Sequence, residues 1–161
     1  MKKFLFLWLM VAGAIFGGNN RLTAQDLEGI IKLSDLQSEP YSKWYFDNFY
    51  AAHPNDAVLS KIKGLLQDKK ITVVMGTWCS DSKMWVPYFY RMLELMNYDP
   101  EKVTLIAVNK DKKAEGVDLS KYKIERIPTF IIYDKDGKEL GRIVESPRYS
   151  IEKDLLEILE K

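Results

Sequence analysis

Three short apolar runs set the strongest limit on what this chain can fold into. Ile71–Met75, Val103–Val108 and Thr129–Tyr133 are rich in β-branched residues and bounded by turn-forming or charged residues, the pattern of buried strands. Between the first two, Trp85, Phe89, Leu93 and Met96 recur at three- and four-residue spacing, which predicts a helix from about Cys79 to Asn97. Pro87 lies inside it and cannot donate a backbone bond, so a kink is expected there. Strand, helix and strand with continuous apolar runs imply a right-handed parallel crossover. Asp136-Gly137 is a turn signal that pairs Leu140–Val144 back as a hairpin. Pro147 then precedes a closing helix with Ile151, Leu155, Leu156 and Leu159 in period. The fold class is α/β, a central mixed sheet flanked by helices, with residues 71–161 as its core.

The segment before this core reads differently. Residues 26–40 have weak periodicity and predict a short helix or an irregular lead-in. Tyr41, Trp44, Tyr45 and Phe49 fall at helical spacing and predict an aromatic helix packed on the core. Asn55 and Asp56 follow Pro54 as capping candidates for a further helix carrying Val58, Ile62, Leu65 and Leu66. Residues 25–70 are therefore expected to form a helical extension on the core. Residues 1–24 have the order of an export signal: Lys2 and Lys3, then an uncharged apolar run from Phe4 to Phe16, then small residues ending at Ala24. That run is too short for a comfortable bilayer span. The expectation is an exported protein, periplasmic or extracellular, with no stable membrane span once the signal is removed.

Composition excludes several classes. Among 161 residues, 24 Lys and Arg nearly balance 23 Asp and Glu, which gives no support to a nucleic-acid binder. One cysteine and one histidine rule out an internal disulfide and a Cys/His zinc site by count. Asp134-Lys135-Asp136-Gly137 echoes the start of a calcium loop but lacks the later acidic ligand, so a hairpin turn is preferred. No phosphate-binding glycine loop or zinc-protease motif is present, and no metal or cofactor is expected.

The lone cysteine is the chemical signal. Gly76-Thr77-Trp78-Cys79 carries the chain from a buried strand into a helix. A cysteine at a helix start faces unpaired N–H groups and the positive end of the helix dipole, which favour thiolate over thiol. Thiolate is the nucleophile of disulfide exchange. Ser82, three residues on, is placed to donate a hydrogen bond to the sulfur. Asp81 suits a helix N-terminus, yet its charge opposes thiolate formation.

From Ile71 to about Leu159 the chain resembles the thioredoxin family. Trp78-Cys79 begins the family's active-site pattern, Pro87 stands where its helix-kinking proline falls, and Ile127-Pro128-Thr129 resembles its cis-proline strand opening. The resemblance implies that Pro128 is cis and lies against Cys79, and that the backbone of Ile127 pairs with an extended substrate segment. The sequence also departs from the family. The resolving cysteine falls at Ser82, the buried acid at Val73, and the accompanying lysine near Ala107. A C-x-x-S, monothiol member is implied, whose mixed disulfide must be cleared by a thiol from outside the chain.

Three functions follow. The first is monothiol exchange through Cys79 with cysteines of exported proteins or with small-molecule thiols. Trp78 would shape the approach, Ser82 would tune the sulfur, and Ile127 and Pro128 would form the docking edge. The second is a binding module whose groove captures a partner with little or no redox catalysis. The third is a structural remnant with an inert cysteine.

Overall fold

The structure, a computed structural model, describes residues 26–161; the expected export segment at 1–24 lies outside the described residues. No described helix is long and apolar enough to cross a membrane. Five strands form one mixed sheet: β1 Gly29–Ile31, β2 Lys70–Met75, β3 Val103–Ala107, β4 Thr129–Tyr133 and β5 Glu139–Val144. Their spatial order is β1-β3-β2-β4-β5. β2 and β3 are parallel, with Val73 opposite Leu105, whereas β1 on β3, β4 on β2 and β5 on β4 are antiparallel. The helices are α1 Leu33–Leu36, α2 Ser42–Ala51, α3 Asp56–Leu65, α4 Ser80–Leu95 and α5 Ile151–Leu159. This is the thioredoxin fold.

Side-chain alternation divides the sheet into two faces. Ile71, Val73, Met75, Leu105, Phe130 and Ile132 join the large cluster beneath α2, α3, α4 and α5. Phe89 of α4 is fully buried and meets the Phe130 ring at 5.0 Å between centroids. Val74 and Ile106 point the other way, into a smaller cluster roofed by the connection from β3 to β4. That connection holds only one 3-10 turn, Ser120–Tyr122.

Local chemistry explains the helix starts. Asn55 accepts from Ala57 N (3.0 Å) and Val58 N (3.2 Å) at the head of α3. Ser150 accepts from Lys153 N at the head of α5, with Glu152 and Asp154 in its first turn. In the β4–β5 hairpin, Asp134 Oδ1 accepts from Asp136 N and Lys138 N, both 2.9 Å, while Gly137 takes φ +87°. The motif therefore serves as a turn.

Residues 26–40 hold the expected short helix, α1, and the extension is mainly helical, but it adds one element the sequence does not announce: Gly29–Ile31 is a strand that closes the free edge of β3, so the extension contributes to the core sheet itself. Gly29 sits at φ +92°, and a Cβ there would lie 2.8 Å from Glu115 O, so only glycine fits this crossing. In α2, Tyr45 and Phe49 are buried as expected, but Tyr50 remains 68% exposed.

Candidate functional site

The site forms where β2 ends and α4 begins. Gly76 has no side chain, and a Cβ there would come within 2.8 Å of Trp78 Nε1 and 2.9 Å of Ile127 Cδ1. Its absence lets Trp78 and Ile127 close over the strand end. The Trp78 indole donates to Val108 O at 2.9 Å, which ties the turn to the end of β3.

Cys79 is the N-cap residue of α4, with extended backbone at φ −84° and ψ 127°. Its amide donates to Gly76 O, and its carbonyl accepts from Lys83 N, both at 3.0 Å. The side chain makes no capping bond. Its Sγ lies instead 3.6 Å from Ile127 O, to which the thiol donates. Cys79 is half-buried as a residue, neither sealed in the core nor fully exposed.

The Ile127–Pro128 peptide is cis, and both residues are buried. Glu145 N donates to Pro128 O at 2.7 Å, and Thr129 Oγ1 to Arg126 O at 2.6 Å, pinning both sides of the turn. Among the described residues, none accepts from the Ile127 amide. Cys79, Trp78, Ile127 and Pro128 are thus brought together at one end of the sheet.

Ser82 belongs to this cluster in a different role from the one its spacing suggests. It is fully buried, and its hydroxyl accepts from Gly76 N at 3.2 Å. A buried amide just past a strand end needs an acceptor, and Ser82 supplies it. The expected donation to the sulfur is replaced by support of the turn beneath it. Asp81 is half-buried in the first turn of α4.

Sequence reasoning missed Arg142 on β5. Its guanidinium grips Glu139 through Nε and Nη2, both at 2.6 Å, and donates from Nη1 to Tyr122 O at 2.9 Å and Lys123 O at 3.3 Å. It fastens to β5 the connection that carries Ile127 and Pro128. Hydrogen bonding with Arg142 holds the Glu139 carboxyl below its ordinary value and raises the guanidinium above its own. No periodicity or motif distinguishes this arginine from a solvated one.

Chemically, the arrangement presents one thiol beside a main-chain amide at a cis-proline edge. Val73 and Ala107, where the family's acid and lysine fall, are apolar and fully buried.

Similarity to known proteins agrees with this geometry. A family model described as Thioredoxin matches residues 34–155. A Pseudomonas aeruginosa protein of unknown function superposes with TM-score 0.52 at 18% identity, over 74% of this chain and 81% of that one. An HIV epitope scaffold gives TM-score 0.59 at 16% identity, over 83% and 93%. Mitochondrial thioredoxin 3 from Saccharomyces cerevisiae gives 0.35 at 20% identity, over 60% and 86%. No curated protein matches the chain. The family match spans the strand, the cysteine turn and the cis-proline together, and the chain belongs to the thioredoxin family.

Proposed function

We propose that this is an exported, monothiol member of the thioredoxin family that exchanges with thiols and disulfides through Cys79. One observation carries the reading: the sulfur of half-buried Cys79 lies 3.6 Å from the carbonyl that precedes a cis-proline. A strand of another molecule lying along Ile127 would meet the sulfur at this edge. Export rests on the order of charge, apolar run and small residues in the first 24 positions.

The chemistry is a thiolate displacement. Cys79 releases its proton to solvent and attacks one sulfur of a disulfide. A Cys79–substrate bond forms, the old S–S bond breaks, and the leaving thiolate keeps the electron pair. Position 82 holds a hydroxyl, not a thiol, and Cys79 is the single cysteine of the sequence, so no second thiol of this sequence displaces the adduct. A second thiol must come from the substrate, from a small thiol such as glutathione, or from another protein. That makes Cys79 suited to isomerising, deglutathionylating or holding client cysteines.

A second reading is favoured by the partial cover over the sulfur together with the unengaged Ile127 amide: a binding module in which main-chain pairing holds the partner and chemistry is secondary. Mass spectrometry of disulfide-linked adducts in acid-quenched extracts tests the first reading. Exchange predicts adducts on Cys79 that dithiothreitol releases and that Cys79→Ala abolishes. Partners retained in full by Cys79→Ala would transfer the function to the binding module.

A further inference from the structure

Beside the docking edge lies a cavity of about 390 Å³ that the exchange chemistry does not use. Lys112, Ser120, Lys123 and Glu125 line it, with Leu119 and Ile124 as its apolar wall. Leu119 and Ile124 also pack on the small cluster that contains Ile127 and flanks Trp78 and Cys79. Lys112 Nζ donates to Glu125 O, two residues before Ile127. The cavity's apolar wall and the residue whose carbonyl receives the Cys79 thiol therefore belong to one packed cluster.

Its two lysines are held in an unusual way. Lys112 has φ +56° and Lys123 has φ +50°, the left-handed region that residues with a Cβ seldom adopt. Local bonds impose both conformations. Asn109 accepts from Lys112 N through its carbonyl, and from Asp111 N and Lys113 N through its side chain. Lys123 N donates to Ser120 O, and its carbonyl receives Arg142. Lys123 is the left-handed C-cap of the 3-10 turn, and the two turns together place two cations around one cavity.

Charge is distributed accordingly. Between Asn109 and Arg126 basic residues outnumber acidic ones six to four, whereas over residues 26–161 the acids lead by 23 to 21. Arg126 is paired with Glu145 at 2.7 Å, which leaves five lysines against four carboxylates in this stretch. At the cavity itself the lining holds two lysines, Lys112 and Lys123, against one carboxylate, Glu125.

The geometry points to a subsite for a carboxylate: the polypeptide that Cys79 engages carries an Asp or Glu close to its cysteine, and that side chain docks between Lys112 and Lys123. This inference rests on the exchange reading and names its substrate class. A polypeptide fits better than a small acid because the subsite continues from an edge built for main-chain pairing. Opposite charge here acts on encounter rate and on choice of partner.

The test uses the purified protein and three probes, each a mixed disulfide with thionitrobenzoate: a cysteine peptide flanked by Glu, the same peptide flanked by Lys, and glutathione. In each case Cys79 thiolate attacks the probe sulfur and coloured thionitrobenzoate leaves as thiolate, so the reaction balances without an added oxidant. The Glu peptide should react about tenfold faster than the Lys peptide at low salt, with the ratio falling towards one near about 0.5 M NaCl. Lys112→Glu with Lys123→Glu should invert the preference, and Lys112→Gln with Lys123→Gln should erase it. The neutral pair keeps the test decisive if the reversed pair does not fold. Equal rates for the two peptides, or a preference that survives both variants, overturn the subsite and leave exchange standing. A lysine-dependent reaction with glutathione that outpaces the Glu peptide overturns the polypeptide as occupant. No release from any probe removes the exchange chemistry and the subsite with it.

Discussion

On one face of the sheet, Val73, Leu105, Phe130 and Ile132 lie under four helices; on the other, Val74 and Ile106 lie under a single loop. The helical face is thick, with rings such as Phe89 and Tyr45 wholly inside it. The loop face is thin, and its cover is made of half-buried side chains: Trp78, Cys79, Leu119, Tyr122 and Ile124. Both faces are built from the same strands, so the difference lies in what covers them. A thick cover stabilises. A thin one leaves Cys79 half-buried at its edge. Local opening free energy should follow the same division, high under the helices and low along residues 108–128.

The largest effect expected from a single substitution belongs to the helical face. Phe89→Ala removes a fully buried ring from against Phe130 and should cost about 3–5 kcal/mol in chemical denaturation. The rate of Cys79 with a small disulfide, measured on the folded fraction, should not change. A matching loss of thiol rate would show that the two faces are not energetically separate.

Gly76→Ala strikes the loop face. Its new methyl would sit 2.8 Å from Trp78 Nε1 and 2.9 Å from Ile127 Cδ1, and such overpacking costs about 1–3 kcal/mol. Here stability and chemistry should fall together, because both side chains beside the sulfur must move. A shift in tryptophan emission with slower mixed-disulfide formation is the expected result. An unperturbed exchange rate would mean that the packing of Trp78 does not matter to the sulfur.

How far the sequence foretold these faces depends on the kind of signal each needs. β2, β3 and β4 were legible because their apolar runs are continuous, and α4 and α5 because their buried positions repeat at helical spacing. The cysteine turn and Ile127-Pro128 were legible because several motifs fall in order. β1 was not: Gly29-Ile30-Ile31 is short, Ile30 is 71% exposed, and only the free edge of β3 makes the segment a strand. Ser82 was found, but its three-residue spacing from Cys79 points to the sulfur, whereas the amide it meets lies six residues back at Gly76. Arg142 was invisible, because the acceptors it meets lie in a loop 20 positions earlier in the chain.

Arg142 therefore offers a finer probe of the loop face. Arg142→Ala removes its bonds to Tyr122 O and Lys123 O and should cost only about 1 kcal/mol globally. Amide hydrogen exchange should quicken over residues 119–127 and stay unchanged in β2 and α4. Uniform acceleration would indicate that the arginine supports the whole sheet rather than the cover.

The smallest expected effect is a pH dependence of that same fastening. Glu139 titrates below its ordinary value of 4.5 because Arg142 hydrogen-bonds its carboxylate. A depressed carboxyl contributes stability that is complete above 4.5 and is lost as pH falls through the lowered folded value. Acidification should therefore release Arg142 from Glu139 and loosen the loop before the helical face responds. The pair is partly exposed, so solvent screening keeps its contribution small. The expected reading is faster hydrogen exchange confined to residues 119–127 as pH drops below 4.5, after correction for intrinsic exchange. Glu139→Gln should show the faster exchange already at neutral pH and lose the acid dependence. If that variant still responds to acid in the same range, another carboxylate controls the loop, and Glu145, paired with Arg126 beside the cis-proline turn, becomes the group to replace.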